Sequence, residues 1–308
     1  MIAFLFPGQG SQYIGMGKDI WEKSQKVKEI FTLASDICNI DLVKLCFEGP
    51  IEELTKTINL QPALTSVEIS IFSCLLEKNI LPEAVAGHSL GEYPALYAAG
   101  VLSLEDTFKA VKERAHLMEE AAKKHPGSML AIVKLDLETV KNILIEYKEA
   151  ELANYNSPQQ IVISGNPEIL TKISQRIKDL GGRGIPLKVS GAWHSSFIKE
   201  AQERFKEFLE NISFKTPKIK IYFNVTAKTE TDPEKIKEIM WKQLCSPVLW
   251  CEEIKNIYKD GIDTFVEVGP KQVLAGLLKY ILPKDSYKVF TVENISDIQK
   301  LSKDWEEK

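Results

Sequence analysis

A serine between two glycines stands out at 87–91. In the stretch AVAGHSLGEYPAL at 84–96, Ser89 follows an apolar run that predicts a short buried strand and precedes small residues that predict a helix. A serine at such a sharp turn is typical of a nucleophile elbow, in which flanking glycines avoid Cβ clashes. The helix N-terminus behind it offers free N–H groups to a developing negative charge. Ser89 is therefore the candidate catalytic nucleophile.

A nucleophilic serine needs a base that accepts its proton. Four histidines are available: His88, His116, His125 and His194. His88 precedes the serine, so its side chain should point away from the serine oxygen and pack against the turn. His116 and His125 lie in and just after a charged helix, where a solvated histidine is the ordinary outcome. His194 follows a predicted strand, between small residues and an aromatic, and is the candidate base.

The order of these residues disfavours an ordinary α/β-hydrolase esterase. In that fold an acid and then a histidine near the C-terminus follow the serine, and an HGGG-type segment precedes it. Here more than a third of the chain follows His194, and no such segment is found. The turn FPGQGSQ after the first strand could instead bring the backbone N–H of Gln9 to the serine as one oxyanion donor, with that of Leu90 as the second. Taken alone, GQG also fits a plain tight turn.

The composition is that of an ordinary globular protein. With 308 residues, 44% of them hydrophobic, the chain can bury a full core. A formal charge of −4 predicts no nucleic-acid partner and no anionic membrane surface. The five cysteines form no CxxC pair and are expected to be reduced thiols. The first apolar run stops at Pro7, too short for a signal peptide or a membrane span, so a cytoplasmic location is expected.

The elements that place these residues alternate in type along the chain. Predicted strands lie at 2–6, 83–87, 219–227 and 263–269, and predicted helices lie within 17–48, 61–79, 92–124, 195–211, 232–244, 250–260 and 271–281. Strands followed by helices predict a parallel sheet in an α/β fold. From 126 to 190 the order changes to βαββαβ, which predicts a ferredoxin-like subdomain inserted into a large domain of 1–125 and 191–308. A ligand is expected in the cleft between them.

Eight motifs follow one another across nearly the whole chain. They are FPGQGSQ at 6–12, GHSLGEY at 87–93, ERAHLM at 113–118, NSPQQIVISG at 156–165, SGAWHSSFI at 190–198, NVTA at 224–227, QLCSPVLW at 243–250 and EVGPKQVLAGL at 267–277. In this order they resemble the bacterial malonyl-CoA:acyl carrier protein transacylases, and they are similar to the acyltransferase domains of polyketide synthases. The resemblance implies an α/β fold with a large α/β-hydrolase-like domain and an inserted ferredoxin-like subdomain.

The resemblance also implies a role for each matching position. Ser89 matches the serine that is acylated, and His194 matches its base. Gln243 matches the residue whose backbone carbonyl orients that histidine in place of a triad carboxylate. Gln9 and Leu90 match the two oxyanion-hole donors.

Arg114 matches the arginine that pairs with the free carboxylate of the malonyl group. Such a group calls for a planar, permanently charged fork, which an arginine supplies and a lysine does not. Its helix neighbours Val111, Leu117 and Met118 place Arg114 on an apolar face. Without the motif, an arginine whose head reaches solvent from the edge of that face would be the ordinary interpretation.

Trp193 and His88 are the other predicted substrate-binding residues. Trp193 stands where the family usually has phenylalanine, and its larger ring could narrow the acyl pocket in favour of malonyl over methylmalonyl. Two further departures, Pro94 in the first turn of the elbow helix and Lys271 on a loop, are expected to matter little.

The implied activity is ping-pong transfer of a malonyl group from malonyl-CoA to the phosphopantetheine thiol of an acyl carrier protein, for fatty acid or polyketide synthesis, without a metal or redox cofactor. A hydrolase that uses the same Ser-His pair and a non-catalytic carrier-protein docking module are the alternatives. An acidic carrier protein favours a basic rim, to which Arg183, Lys188 and Lys271 could contribute. The chain is expected to be a monomer.

Overall fold

A computed structural model, which describes residues 1–306, contains two β-sheets, one of six strands and one of four. The strands are β1 (Ile2–Phe6), β2 (Ala84–Gly87), β3 (Ser128–Val133), β4 (Ala150–Ser157), β5 (Gln160–Gly165), β6 (Arg183–Pro186), β7 (Lys220–Phe223), β8 (Lys228–Thr229), β9 (Thr264–Val268) and β10 (Lys288–Val292). The helices are α1 (Lys18–Lys23), α2 (Gln25–Cys38), α3 (Leu42–Glu48), α4 (Ile51–Leu54), α5 (Thr57–Glu77), α6 (Glu92–Ala98), α7 (Leu104–Lys124), α8 (Leu137–Glu146), α9 (Pro167–Asp179), α10 (Lys199–Leu209), α11 (Pro233–Lys242), α12 (Trp250–Lys259), α13 (Val273–Ile281) and α14 (Ile295–Glu306). None of the helices in this part of the chain has the length and apolar character to span a membrane.

The larger sheet has the strand order β10-β9-β1-β2-β7-β8. Its first five strands are parallel, and β8 pairs with β7 in the antiparallel sense. Strands β1, β2 and β9 are buried along their whole length, as apolar runs in a parallel sheet should be. Alternate residues of β1 pack into two different hydrophobic cores, because successive side chains of a strand point to opposite faces of the sheet. Phe4 and Phe6 pack on one face, and Ala3 and Leu5 pack on the other.

The two faces of this sheet are covered by different helices. The 21-residue helix α5 packs with α2 and α7 in the first core, and α12 and α13 pack in the second. The strand order reverses at β1, since the chain first adds β2 on one side of it and later adds β9 on the other. In open parallel sheets, ligands bind outside the carboxyl ends of the strands at such a point. The loop after β1 and the turn that holds Ser89 both lie there.

The smaller sheet is antiparallel, with the order β4-β5-β3-β6. With α8 and α9 it forms the βαββαβ arrangement that the sequence predicts, around a core of its own. Val248 joins it to the larger domain, because its N–H donates to the carbonyl of Ala153 and its carbonyl accepts from the N–H of Tyr155. The predicted α/β fold class is confirmed. The division at 126 and 190 stays a prediction.

Several parts of the structure differ from the sequence prediction, and among them the short helix α4 and the two-residue strand β8 were not predicted. Helix α5 begins at Thr57 rather than at Gln61. The final strand β10 and helix α14 were not predicted at all. Strand β10 is short, and Val292 is its one fully buried residue, so its sequence carries a weak signal. Its place is decided by parallel pairing with β9, which is a long-range contact.

Candidate active site

The turn around Ser89 is shaped by its two glycines. Ser89 has a φ of 53°, in the left-handed region that side chains rarely adopt, and begins a short 3₁₀ helix that leads into α6. A Cβ on Gly87 would lie 1.9 Å from the carbonyl carbon of Gly91, and one on Gly91 would lie 2.1 Å from the oxygen of Phe6. No side chain fits at either position. The two glycines of GHSLG are therefore a steric requirement of this elbow.

Asn224, directly after the neighbouring strand β7, holds the elbow in place through side-chain hydrogen bonds. Its Oδ1 accepts from the backbone N–H of Ser89 at 2.7 Å, and its Nδ2 donates to the oxygen of Gly87 at 2.7 Å. The same Nδ2 donates to Glu253 at 2.9 Å. The motif NVTA is part of the family resemblance, but no role is predicted for Asn224 from the sequence. A polar residue directly after a buried strand, at the carboxyl edge of a parallel sheet, was the available signal.

His194 lies against Ser89 and is held in one tautomer. Its Nδ1 donates to the backbone oxygen of Gln243 at 2.9 Å, which leaves Nε2 to accept from Ser89 Oγ at 2.8 Å. Burial lowers the pKa of His194 to about 3, and the positive charge of Arg114 is the second cause. The imidazole is therefore neutral at pH 7, the form that can accept a proton.

Arg114 reaches the same serine from α7 and is fully buried. Its Nη2 donates to Ser89 Oγ at 3.1 Å and to the side-chain oxygen of Gln243 at 3.0 Å. Its guanidinium carbon lies 5.5 Å from the ring centre of Tyr93. Its Nε and Nη1 have no hydrogen-bond partner within residues 1–306. A buried guanidinium with free donors beside a nucleophile can accept a carboxylate in bidentate fashion.

Behind Arg114, Gln243 and Glu92 form a buried polar network. The Nε2 of Gln243 donates to the backbone oxygen of Ser89 at 2.8 Å and to the carboxylate of Glu92. Glu92 also accepts from the backbone N–H of Asn224 at 2.7 Å. Burial raises the pKa of Glu92 to about 8, although these hydrogen bonds and the charge of Arg114 act to lower it. Glu92 is not among the site residues predicted from the sequence.

The two predicted oxyanion donors lie at the carboxyl ends of β1 and β2. Within the described chain, the amides of Gln9 and Leu90 donate to no other group. Gly8 brings the first loop against the elbow, since a Cβ on it would lie 2.6 Å from the oxygen of His88. Among the described residues both amides are therefore unpaired at this edge of the sheet, and their role as oxyanion donors stays a prediction.

Comparison with known proteins gives one consistent result. The model of the family described as "Acyl transferase domain" matches residues 3–300. A relative from Bacillus subtilis (strain 168), named malonyl CoA-acyl carrier protein transacylase, is 43% identical over 285 residues, which are 91% of this chain and 90% of the relative. The protein of that name from Haemophilus influenzae is 41% identical over 286 residues, or 91% and 92% of the two chains. The chain belongs to this acyl transferase family.

Solved structures of the family agree with this assignment. The malonyl CoA-acyl carrier protein transacylase of Clostridium perfringens superposes with a TM-score of 0.94 at 36% identity, over 99% of this chain and 97% of that one. A malonyl-transacylase solved in complex with its holo type II PKS acyl-carrier protein superposes with a TM-score of 0.94 at 35% identity, over 98% and 99% of the chains.

The remaining predicted site residues of this family member lie around the same cavity. A cavity of about 180 Å³ is lined by Ser89, His194, Gln9, His88 and Trp193, together with residues of the smaller sheet. As predicted, His88 points away from Ser89: its Nε2 donates to the side-chain oxygen of Asn156 at 2.8 Å. Burial lowers the pKa of His88.

A wider groove of about 840 Å³ shares Gln9 and Trp193 with this cavity. Lys188 and Lys271 line that groove, and Arg183 lines another one beside α9. His116 and His125 are exposed on the surface, as expected.

The structure thus brings Ser89, His194, Gln243 and Arg114 into direct contact, and their catalytic roles stay predictions. Among residues 1–306, no group of three or more His, Cys, Asp or Glu side chains is placed to hold a metal ion.

Proposed function

We propose that this protein transfers the malonyl group of malonyl-CoA to the phosphopantetheine thiol of an acyl carrier protein through a malonyl ester of Ser89. The names of its relatives and structural neighbours support this activity. The observation that carries the proposal is the buried Arg114, which contacts the Ser89 oxygen and keeps two donors free. A fixed positive fork beside the nucleophile suits an acyl group that ends in a carboxylate.

In the first half-reaction, neutral His194 takes the proton of Ser89 as the serine oxygen attacks the thioester carbonyl. The backbone amides of Gln9 and Leu90 stabilise the oxyanion. His194 then returns the proton to the leaving sulfur of CoA, and malonyl-Ser89 remains. The Gln243 carbonyl keeps the imidazole oriented and favours its protonated form during the step.

In the second half-reaction, the thiol of the carrier protein enters the same cleft. His194 accepts the thiol proton, the sulfur attacks the ester carbonyl, and Ser89 recovers its proton as it leaves. Every step moves a proton or an acyl group, so we propose that the enzyme uses its two substrates and no further cofactor.

The cleft also suggests how the carrier protein binds. Lys188 and Lys271 line the wide groove that shares Gln9 and Trp193 with the Ser89 cavity, and an acidic carrier protein would approach this rim favourably. We further propose that the enzyme works in the cytoplasm as a monomer and that 126–190 forms a subdomain that covers one wall of the cleft.

The test is the intact mass of the protein after brief incubation with malonyl-CoA and, separately, with acetyl-CoA. We expect one malonyl adduct on the wild type, none on Ser89→Ala, and a weakened or acetyl-shifted adduct on Arg114→Ala. Addition of a holo acyl carrier protein should move the adduct to the carrier.

Two other outcomes would contradict transfer. Rapid release of CoA without an adduct or a loaded carrier would indicate a hydrolase. Binding of the carrier protein with neither an adduct nor CoA release would indicate a docking module.

A further inference from the structure

Arg114 is a buried cation that touches no carboxylate. Its Nη2 bonds to two neutral groups, the hydroxyl of Ser89 and the side-chain amide of Gln243. Within residues 1–306 no Asp or Glu forms an ion pair with it, although its side chain is fully buried. An isolated charge is costly in such surroundings, so a compensating charge should lie close by.

Above its pKa of about 8, Glu92 supplies that charge indirectly, through the side chain of Gln243. The side-chain amide of Gln243 lies between the two residues: its oxygen accepts from Arg114, and its nitrogen donates to Glu92. The amide dipole thereby points its negative end at the cation and its positive end at the carboxylate. Because Glu92 also accepts from the backbone N–H of Asn224, both of its oxygens act as acceptors. This bonding pattern suits the ionised form of the carboxylate, which predominates above the pKa of about 8.

The other charged and titratable groups around Glu92 are few. Arg114 faces it from α7, Tyr93 is its neighbour on α6, and Glu253 lies on α12 beyond the Asn224 side chain. Burial raises the pKa of Glu253 well above its usual range, and Glu92 adds to this effect. Arg114 is therefore the one positive charge available to Glu92 among these groups.

The proposed function brings a second carboxylate to the same guanidinium. The free donors of Arg114, Nε and Nη1, would receive the malonyl carboxylate. Two ionised carboxylates on one buried arginine repel each other, and such a pair keeps one proton. We propose that Glu92 and the malonyl carboxylate are alternative counterions of Arg114, coupled through the Gln243 amide, so that the malonyl group binds with Glu92 protonated. This inference rests on the proposed malonyl transfer.

The proton balance of this exchange is simple. Where Glu92 is ionised in the empty site, it takes one proton from solvent as the malonyl carboxylate docks, and no other bond changes. The pair of Arg114 with one carboxylate stays neutral before and after. In this role Glu92 is a positioning residue, since it acts on the substrate through Gln243 and Arg114.

The test is the pH dependence of two acylation equilibria of Ser89, one with malonyl-CoA and one with acetyl-CoA, each measured by intact mass at fixed CoA. Their ratio cancels the ionisation of the CoA thiol, which both reactions release. The acetyl group lacks the carboxylate, so the ratio of the malonyl to the acetyl equilibrium constant reports only on binding of the malonyl carboxylate. Since Glu92 has a pKa of about 8, the wild-type ratio should be level below that pH and fall by up to about tenfold per pH unit above it.

Three variants locate the effect. Glu92→Gln, which cannot ionise, should give a ratio that does not change with pH. Arg114→Met removes the shared cation and should also abolish the pH dependence, which provides a second readout if Glu92→Gln does not fold. Glu253→Gln is the matched control: it lies at the same depth and shares Asn224, but it does not contact Gln243, so the wild-type fall should persist.

The results separate this inference from the proposed function. A wild-type ratio that stays level above pH 8, or a Glu92→Gln variant that keeps the wild-type fall, would overturn the role of Glu92 while Ser89 is still malonylated. Failure of malonyl-CoA to acylate Ser89 at any pH would overturn the proposed transfer itself.

Discussion

Replacement of Asn224 by alanine should loosen the nucleophile elbow. The change removes the acceptor of the Ser89 N–H and the donor to the oxygen of Gly87, both at 2.7 Å. It also removes the donor to Glu253. A buried backbone group left without a partner costs roughly 1–3 kcal/mol, so the two backbone groups together predict a loss of about 2–6 kcal/mol in the free energy of unfolding.

The same change should slow acylation. Ser89 has an unfavourable φ of 53°, and without the hydrogen bonds from Asn224 its backbone should relax to a more favourable conformation and displace the nucleophile. A displacement of the nucleophile by about 1 Å is enough to reduce the rate roughly 100-fold. The free energy of unfolding is measured by urea titration monitored by circular dichroism. The initial rate of malonyl-CoA loading is measured by mass spectrometry on the folded protein at the same pH.

Asn256→Ala is the matched control. Its Nδ2 makes one bond of the same type, to the oxygen of Ala227 at 2.8 Å, at a half-buried position away from Ser89. We expect a loss of about 0.5–1.5 kcal/mol and an unchanged loading rate. If Asn224→Ala loads malonyl at the wild-type rate and unfolds at the same urea concentration as Asn256→Ala, the elbow does not depend on Asn224.

Three further predictions concern other parts of the site. Gly91→Ala should lower the free energy of unfolding in urea by about 3 kcal/mol or more, because its Cβ would lie 2.1 Å from the Phe6 oxygen. Gly276→Ala, whose Cβ would have no atom within 4 Å, should be neutral or stabilising, and equal effects of the two changes would contradict this steric interpretation. Arg114→Met should raise the pKa of His194, which is about 3 in the wild type, because it removes a nearby positive charge. As the pH is lowered, the rate of acetyl-CoA loading should therefore begin to fall at a higher pH in the variant than in the wild type. An unchanged pH dependence on the acid side would refute an effect of Arg114 on the pKa of His194. Trp193→Phe should increase methylmalonyl loading relative to malonyl about tenfold, and comparable wild-type rates with both esters would rule out a narrowing role for Trp193.

The sequence alone determined the fold class and the family, and it predicted the principal site residues. The signals for these features are local: glycine flanks at Ser89, an apolar run that ends at Gly87, and an arginine on the apolar face of a helix. The βαββαβ order of the inserted region is likewise a succession of short periodic segments. Such patterns follow from backbone sterics and burial within a few residues, so they can be recognised without coordinates.

Only the tertiary structure decided which buried polar groups meet. Ser89 and Asn224 are 135 positions apart, and Glu92 and Gln243 are 151 apart, so no local pattern links them. In the sequence Glu92 is one acidic residue at the start of a helix, with nothing to distinguish it from an exposed N-terminal glutamate. Its burial, its raised pKa and its connection to Arg114 arise because the parallel sheet brings the carboxyl ends of β2 and β7 side by side, and water is excluded there.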